Sequence, residues 1–231
     1  MSLISLPAEL RLQIYEYLPS LATGRNDVIG PPFCQLTPAI CRTCRQLRAE
    51  TLSLYASGAD FSMQSDNGND DYIRLWLQAL GHSGIRQLRC ISLYRHWTLS
   101  RPVRGEGHVG FYVRLEKLGG NWKCTTGTYP TARDMRGMRL ESVELLQQVV
   151  QNTVLRHIST PIPEALAEVD FETLLKAADI VATHPIAAHD VEQSEAGRQQ
   201  RSAIWTDMQS QLLGLEGSRA LPGSHRFYKP N

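Results

Sequence analysis

The stretch that most restricts the fold is HVGFYVRLEKLGGNWKCTTGTY, residues 108–129. Apolar and polar side chains alternate along its first half, and this period of two is typical of a β-strand with one buried face. Gly119-Gly120 then supplies two residues that tolerate positive φ, as a two-residue hairpin turn requires. Such a turn would place Glu116 opposite Lys123 on the outer face, where opposite charges attract. The sequence therefore predicts a β-hairpin.

The N-terminal segment predicts a helix from Pro7 to about Leu18. Proline at the first helical position gives up no hydrogen bond, because that N–H has no partner within a helix. Apolar residues recur every fourth position and give the helix one apolar face: Leu6, Leu10, Ile14 and Leu18. Residues 19–37 contain several glycines and prolines without periodicity and predict a loop.

The rest of the chain alternates between helical and strand patterns. We expect a second helix from Thr37-Pro38 to Gly58, a strand at Phe61–Met63, a helix from Asp70 or Asp71 to Gly81, and a strand over Ile85–Trp97. The C-terminal half predicts helices from Arg139, over Phe171–Ala182 and after Ser194, with a flexible tail after about Gly217.

The composition is typical of a globular protein. Apolar residues make up 42% of the 231, charged residues 20%, and the formal net charge of +1 implies no general attraction to nucleic acid or membrane. No stretch approaches the roughly 18 apolar residues of a membrane span, and Glu9, Arg11 and Glu16 interrupt any secretory signal. Five scattered cysteines do not form a disulfide framework. We therefore expect an intracellular protein of the cytoplasm or nucleus.

The charges are unevenly distributed along the chain. Residues 84–105 carry five arginines and no acid, whereas residues 164–195 carry eight acids and one base, Lys176. These segments are expected to face one another or solvent. Arginines interleaved with Tyr94 and Trp97 could also bind nucleic acid by stacking. The strand pattern disfavours that interpretation, because a strand buries alternate positions and binding would require the arginines of residues 86–104 to share one exposed face.

No motif predicts catalysis, a metal or a cofactor. The CxxC at Cys41 to Cys44 lacks the second ligand pair that a zinc site needs, and Cys44 falls on a buried helical stripe. The seven histidines show no metal-ligand spacing. The GxGxxG of residues 105–110 precedes a strand and does not join a strand to a helix. We expect a protein that is not an enzyme.

Two segments carry a family resemblance. SLPAELRLQIYEYL (residues 5–18) resembles the opening of an F-box, and PAICRTCRQLRAETLSLY (residues 38–55) resembles its later half. The similarity is greater to the fungal F-box-like proteins, whose start reads approximately LPxELRxxIYEY and whose second segment reads TCRQxRxEalxLfY. The resemblance covers residues 3–63.

The resemblance implies a partner and a set of contact residues. F-boxes dock on the Skp-type adaptor of cullin-based ubiquitin ligases, and the remainder of the chain presents a substrate protein. The residues implied at matching positions are Leu6, Pro7, Leu10 and Ile14, with Cys44 and Leu47 supporting from the second helix.

We therefore predict an α+β protein with F-box-like helices in residues 1–63, followed by an α+β region in residues 64–231 that packs with them as one unit. That region would hold a small antiparallel sheet and a helical C-terminal half. In one hypothesis the N-terminal helices dock on the adaptor, and Leu6, Leu10 and Ile14 are exposed. In the alternative they are a structural part of a self-contained protein, and the same residues are buried.

Overall fold

A computed structural model describes residues 2–30, 36–66, 68–98, 108–129, 140–155, 165–189 and 194–218. The helices are α1 (Ala8–Glu16), α2 (Arg45–Gly58), α3 (Asp71–Ile85), α4 (Leu140–Val150), α5 (Glu168–His189) and α6 (Glu195–Ser218). The strands are β1 (Arg25–Ile29), β2 (Ala59–Asp66), β3 (Cys90–Thr98), β4 (His108–Leu118) and β5 (Asn121–Tyr129). Short 3₁₀ helices span Leu3–Ser5 and Ala39–Arg42, and a π-helical turn, Gln151–Leu155, extends α4. The tail expected after about Gly217 lies outside these ranges from residue 219 onward.

The five strands form one mixed sheet in the order β1-β2-β3-β4-β5. β1, β2 and β3 run parallel to one another, whereas β4 is antiparallel to both of its neighbours, β3 and β5. The expectation of an antiparallel sheet is therefore wrong for the first three strands. The reason is the connections: α2 lies between β1 and β2, and α3 between β2 and β3, and a helical crossover returns the chain to the same end of the sheet.

Strand β1 lies within residues 19–37, where a loop was expected. It pairs with β2 from Arg25 opposite Ala59 to Ile29 opposite Met63. Only Ile29 is buried along this edge strand, so its sequence lacks the apolar alternation by which a strand is recognised.

The hairpin of β4 and β5 turns at Gly119 and Gly120, whose φ angles are 58° and 93°. Glu116 lies opposite Lys123, and Leu115 lies opposite Cys124. The local twist of a two-residue turn with two positive φ angles matches that of the flanking strands.

Helices contact one face of the sheet. Phe61 of β2 packs against Trp76 of α3, with ring centroids 4.9 Å apart, and against Tyr55 of α2. Thr126 of β5, on the same face, donates to the carbonyl of Val143 in α4 over 3.3 Å. The buried strand side chains on this face include Phe61, Met63, Ile91, Leu93, Phe111 and Val113.

Two of the expected helices are interrupted at a residue whose backbone angles are not helical. The second expected helix divides at Cys44, whose extended backbone (φ −153°, ψ 168°) separates the 3₁₀ helix of Ala39–Arg42 from α2. Gly81, the expected end of the third helix, has φ 63° and kinks α3 before its last turn. Within the ranges given above, no helix has the length and apolar character needed to cross a membrane.

The arginine-rich segment does not present one exposed face. Arg95 is completely buried in β3 and pairs with Asp70, whereas Arg86 and Arg89 are exposed. Arg101 and Arg104 lie outside the described residues. Binding of nucleic acid would require these arginines to share one exposed face, and the buried Arg95 does not meet that requirement.

Candidate protein-docking site

Helix α1 is fastened to α2 through its polar side. Arg11 donates from Nε to Oε2 of Glu50 over 2.9 Å and from Nη2 to Oε1 over 2.5 Å. Tyr15, one turn further along α1, donates from its hydroxyl to Oε2 of Glu50 over 2.7 Å. Arg11 and Tyr15 are the buried residues of the helix. One carboxylate of α2 thus accepts three hydrogen bonds from α1.

These hydrogen bonds stabilise the ionised form of the carboxylate. They lower the pKa of Glu50 to about 2, with Arg11 the main cause and Tyr15 the next. Burial, followed by the hydrogen bond to Glu50, raises the pKa of Tyr15 to about 12. The hydrogen bond to Glu50 also raises the pKa of Arg11. At neutral pH the cluster therefore holds one cation, one anion and one neutral phenol, a charge-assisted arrangement.

Arg11 also fixes the segment that precedes α1. Its Nη1 donates to the backbone carbonyls of Leu6 and Ile4. The side chain therefore ties the Leu-Pro at the start of the helix to α2, and the position of Pro7, the N-cap residue, depends on it.

The apolar side of α1 faces away from the core. Leu10 is 45% exposed, Ile14 is 38% exposed and Tyr17 is 85% exposed. They follow one another at spacings of four and three, so they share one side of the helix. Ile4, 44% exposed, precedes them. We call Ile4, Leu10, Ile14 and Tyr17 the α1 apolar face.

The six residues implied by the resemblance lie in different surroundings. Pro7, Leu10 and Ile14 are exposed and Leu6 is half-buried, all at the start or on the body of α1. Cys44 is half-buried at the N-cap of α2. Leu47 is only 6% exposed and lies in the core, so its side chain is not available at the surface.

The structure adds two residues to this set. Ile4 lies in the 3₁₀ helix before α1, and Tyr17 follows its last turn. The signal for Tyr17 was present in the sequence, since it lies seven positions after Leu10. Leu18 belongs to the apolar stripe expected from the sequence, but it is not part of the exposed face. Its side chain is partly buried against the core.

Three of the four described cysteines are buried: Cys41, Cys90 and Cys124. Thr51 donates from Oγ1 to Sγ of Cys41 over 3.2 Å, and burial raises the pKa of the Cys41 thiol. Burial raises the pKa of Cys90 and of Cys124 to about 12. These thiols are therefore neutral and poorly nucleophilic. Among the described residues, no group of three or more His, Cys, Asp or Glu side chains could hold a metal.

A cleft of about 520 Å³ lies between α3 and α5. Its charged side chains include Arg74 and Glu172, which form an ion pair of 3.1 Å, and Asp70, whose carboxylate is bound to Arg95. The described lining holds no histidine, serine or cysteine. It does hold the hydroxyl of Thr173, which donates to the carbonyl of Val169 over 2.8 Å.

Comparisons of the chain with protein-family models, with curated proteins and with solved structures found no match.

Proposed function

We propose that this chain is an F-box-like interaction protein that docks on the Skp-type adaptor of a cullin ubiquitin ligase. The observation that carries the proposal is the exposed α1 apolar face on a helix fixed by a polar cluster on another side. In this role the chain catalyses no reaction itself, needs no cofactor and acts in the cytoplasm or nucleus.

The geometry of α1 suits a helix that binds in a groove. Such recognition uses apolar side chains at spacings of three and four from one helix, and Leu10, Ile14 and Tyr17 have these spacings. Exposed apolar side chains in contiguous patches mark interaction surfaces. The alternative, in which these helices are only structural, expects Leu6, Leu10 and Ile14 to be fully buried. Leu6 is half-buried, whereas the exposures of Leu10 and Ile14, 45% and 38%, favour docking.

The polar cluster explains how α1 stays folded with its apolar side in water. A nine-residue helix is too short to be stable alone, so contacts with α2 hold it. Those contacts are hydrogen bonds from Arg11 and Tyr15 to Glu50, and they leave Leu10 and Ile14 available to a partner. The α+β region would then present a substrate protein at a fixed orientation to the adaptor, because α2 packs directly against α3 and β2.

The test is co-purification of the full chain with a Skp-type adaptor, followed by titration calorimetry. The variant is L10A/I14A, which removes the two exposed aliphatic side chains of the α1 apolar face. The matched control is L12A/L213A: Leu12 is 46% exposed but lies about 200° around the same helix from Leu10, and Leu213 is 50% exposed on α6.

The expected loss follows from the exposed fractions. Fully burying a Leu or Ile side chain contributes about 1.5–3 kcal/mol, so burying the exposed parts of Leu10 and Ile14 contributes about 1.2–2.5 kcal/mol in total. L10A/I14A should weaken binding roughly 8-fold to 70-fold, whereas L12A/L213A should bind like the native chain. Absence of binding by the native chain, or equal losses in the two variants, would refute the proposal.

A further inference from the structure

A second surface concentrates positive charge. Two shallow grooves of about 310 and 300 Å³ adjoin at Gln87, which lines both of them. Arg86, Arg89 and Lys117 line the first groove, and Arg45 and Arg48 line the second. No acidic residue lines either groove in the described structure. We call these five cations the basic surface.

The cations of the basic surface form no ion pairs with described carboxylates, in contrast to most of the described arginines elsewhere. Six described arginines elsewhere meet carboxylates: Arg11 with Glu50, Arg25 with Asp27, Arg74 with Glu172, Arg95 with Asp70, Arg114 with Asp60 and Glu116, and Arg198 with Glu195. Arg42, also exposed, has no such partner among the described residues. None of the five cations of the basic surface has a carboxylate within 4.0 Å among the described residues. The net charge of the whole chain is only +1, so this local excess of like charge is a specific feature of one surface.

The backbone beneath the basic surface adds to its positive potential. Arg45 is the first residue of α2 and Arg48 lies in its first turns, at the positive end of the helix dipole. The first turn contains no acidic residue, and the N-cap residue Cys44 makes no side-chain cap hydrogen bond. Both guanidinium Nη atoms of Arg48 donate to carbonyls, of Cys41 and Ala79, which fixes the cation without neutralising it.

The position of the basic surface separates it from the α1 apolar face. Glu50, to which α1 is fastened, lies about 160° around α2 from Arg48, counted at 100° per residue. The other side of the surface is formed by the end of α3, the turn that leads to β3, and the end of β4 at Lys117, whose N–H donates to the carbonyl of Arg89 over 2.7 Å.

We infer that the basic surface binds an acidic segment of a partner protein, rich in Asp and Glu. Four of its five cations are arginines, whose planar guanidinium groups bind carboxylates by two parallel hydrogen bonds. Its described lining contains no aromatic side chain, so it lacks the stacking platform typical of sites for single-stranded nucleic acid. This inference does not depend on whether α1 docks on an adaptor.

The test uses the full chain and a fluorescent peptide of alternating Glu and Gly, with the corresponding Gln peptide as the uncharged control. Binding is measured by fluorescence anisotropy at low and physiological salt. The variants are R86Q/R89Q and, on another element, K117Q. The matched control is R74Q/R198Q, which removes the same number of exposed arginines from ion pairs elsewhere.

We expect the Glu peptide to bind more weakly as salt increases and the Gln peptide not to bind. Since each exposed ion pair changes an equilibrium constant by about twofold to fivefold, R86Q/R89Q should weaken binding about 4-fold to 25-fold. K117Q should weaken binding about twofold to fivefold, and R74Q/R198Q should leave it unchanged. The inference would be overturned if all variants bound the Glu peptide as tightly as the native chain. Binding of polyphosphate or single-stranded RNA at these arginines without binding of the Glu peptide would also overturn it.

Discussion

The ion pair between Arg95 and Asp70 should be the most sensitive polar contact in the fold. Arg95 Nη1 donates to Oδ1 of Asp70 over 2.7 Å, and Nη2 donates to Oδ2 over 2.8 Å. The same guanidinium donates to the hydroxyl of Ser65 over 2.5 Å and to the carbonyl of Leu175 over 3.1 Å. The arginine and aspartate side chains are 0% and 6% exposed. One cation therefore links β3 to β2, to the start of α3 and to α5.

The substitution D70N removes the negative charge and keeps the size of the side chain. It leaves the guanidinium of Arg95 buried without its counter-charge, which costs about 3–5 kcal/mol in comparable buried pairs. For 231 residues the unfolding entropy is about 0.5 kcal/mol per degree, so the melting temperature should fall by about 6–10 °C.

The double variant R95M/D70N separates loss of a charge pair from loss of packing. It should be more stable than D70N, because methionine removes the unpaired buried cation and retains much of its length. Urea unfolding followed by tryptophan fluorescence and by far-ultraviolet circular dichroism measures both changes. A loss below about 1 kcal/mol in D70N, or a double variant no more stable than D70N, would refute the reasoning.

Two further predictions concern α1 and the sheet. The carboxylate of Glu50 stabilises the native chain above its ordinary pKa of 4.5, and this contribution is lost as pH falls through its native pKa of about 2. The stability difference between native chain and E50Q should therefore shrink over that range in urea unfolding at several pH values; a constant difference would contradict the assignment. In G127A the new Cβ would lie 2.6 Å from the ring of Tyr112, so we expect a loss of about 1 kcal/mol in thermal unfolding. The loss should disappear in the Y112L background, and its persistence there would exclude this clash.

Several local features of the fold lie close to what the sequence indicates. The Gly119-Gly120 turn has positive φ at both residues, Gly81 interrupts α3, and Ser194 accepts a hydrogen bond from the N–H of Gly197 at the start of α6 over 3.1 Å. Each depends on the conformational preference or hydrogen-bonding capacity of residues within a few positions. Such preferences can be read from a short stretch of sequence.

The parallel pairing of β1, β2 and β3 cannot be predicted from any short stretch of the sequence. β1 has the sequence RNDVI and lies at the sheet edge, where its pairing with β2 is set by the crossover through α2. Loops and edge strands of this composition look alike, because the backbone pairing that distinguishes them is made with residues more than 30 positions away.

The sequence by itself determined that SLPAELRLQIYEYL forms a helix with one apolar side, because helix periodicity follows from local spacing. The tertiary structure decided which way that side points. Arg11 and Tyr15 are buried because they meet Glu50, 39 and 35 positions away along the chain. Burial of a charged side chain is favourable only where such a partner is present. The apolar side of α1 therefore faces solvent.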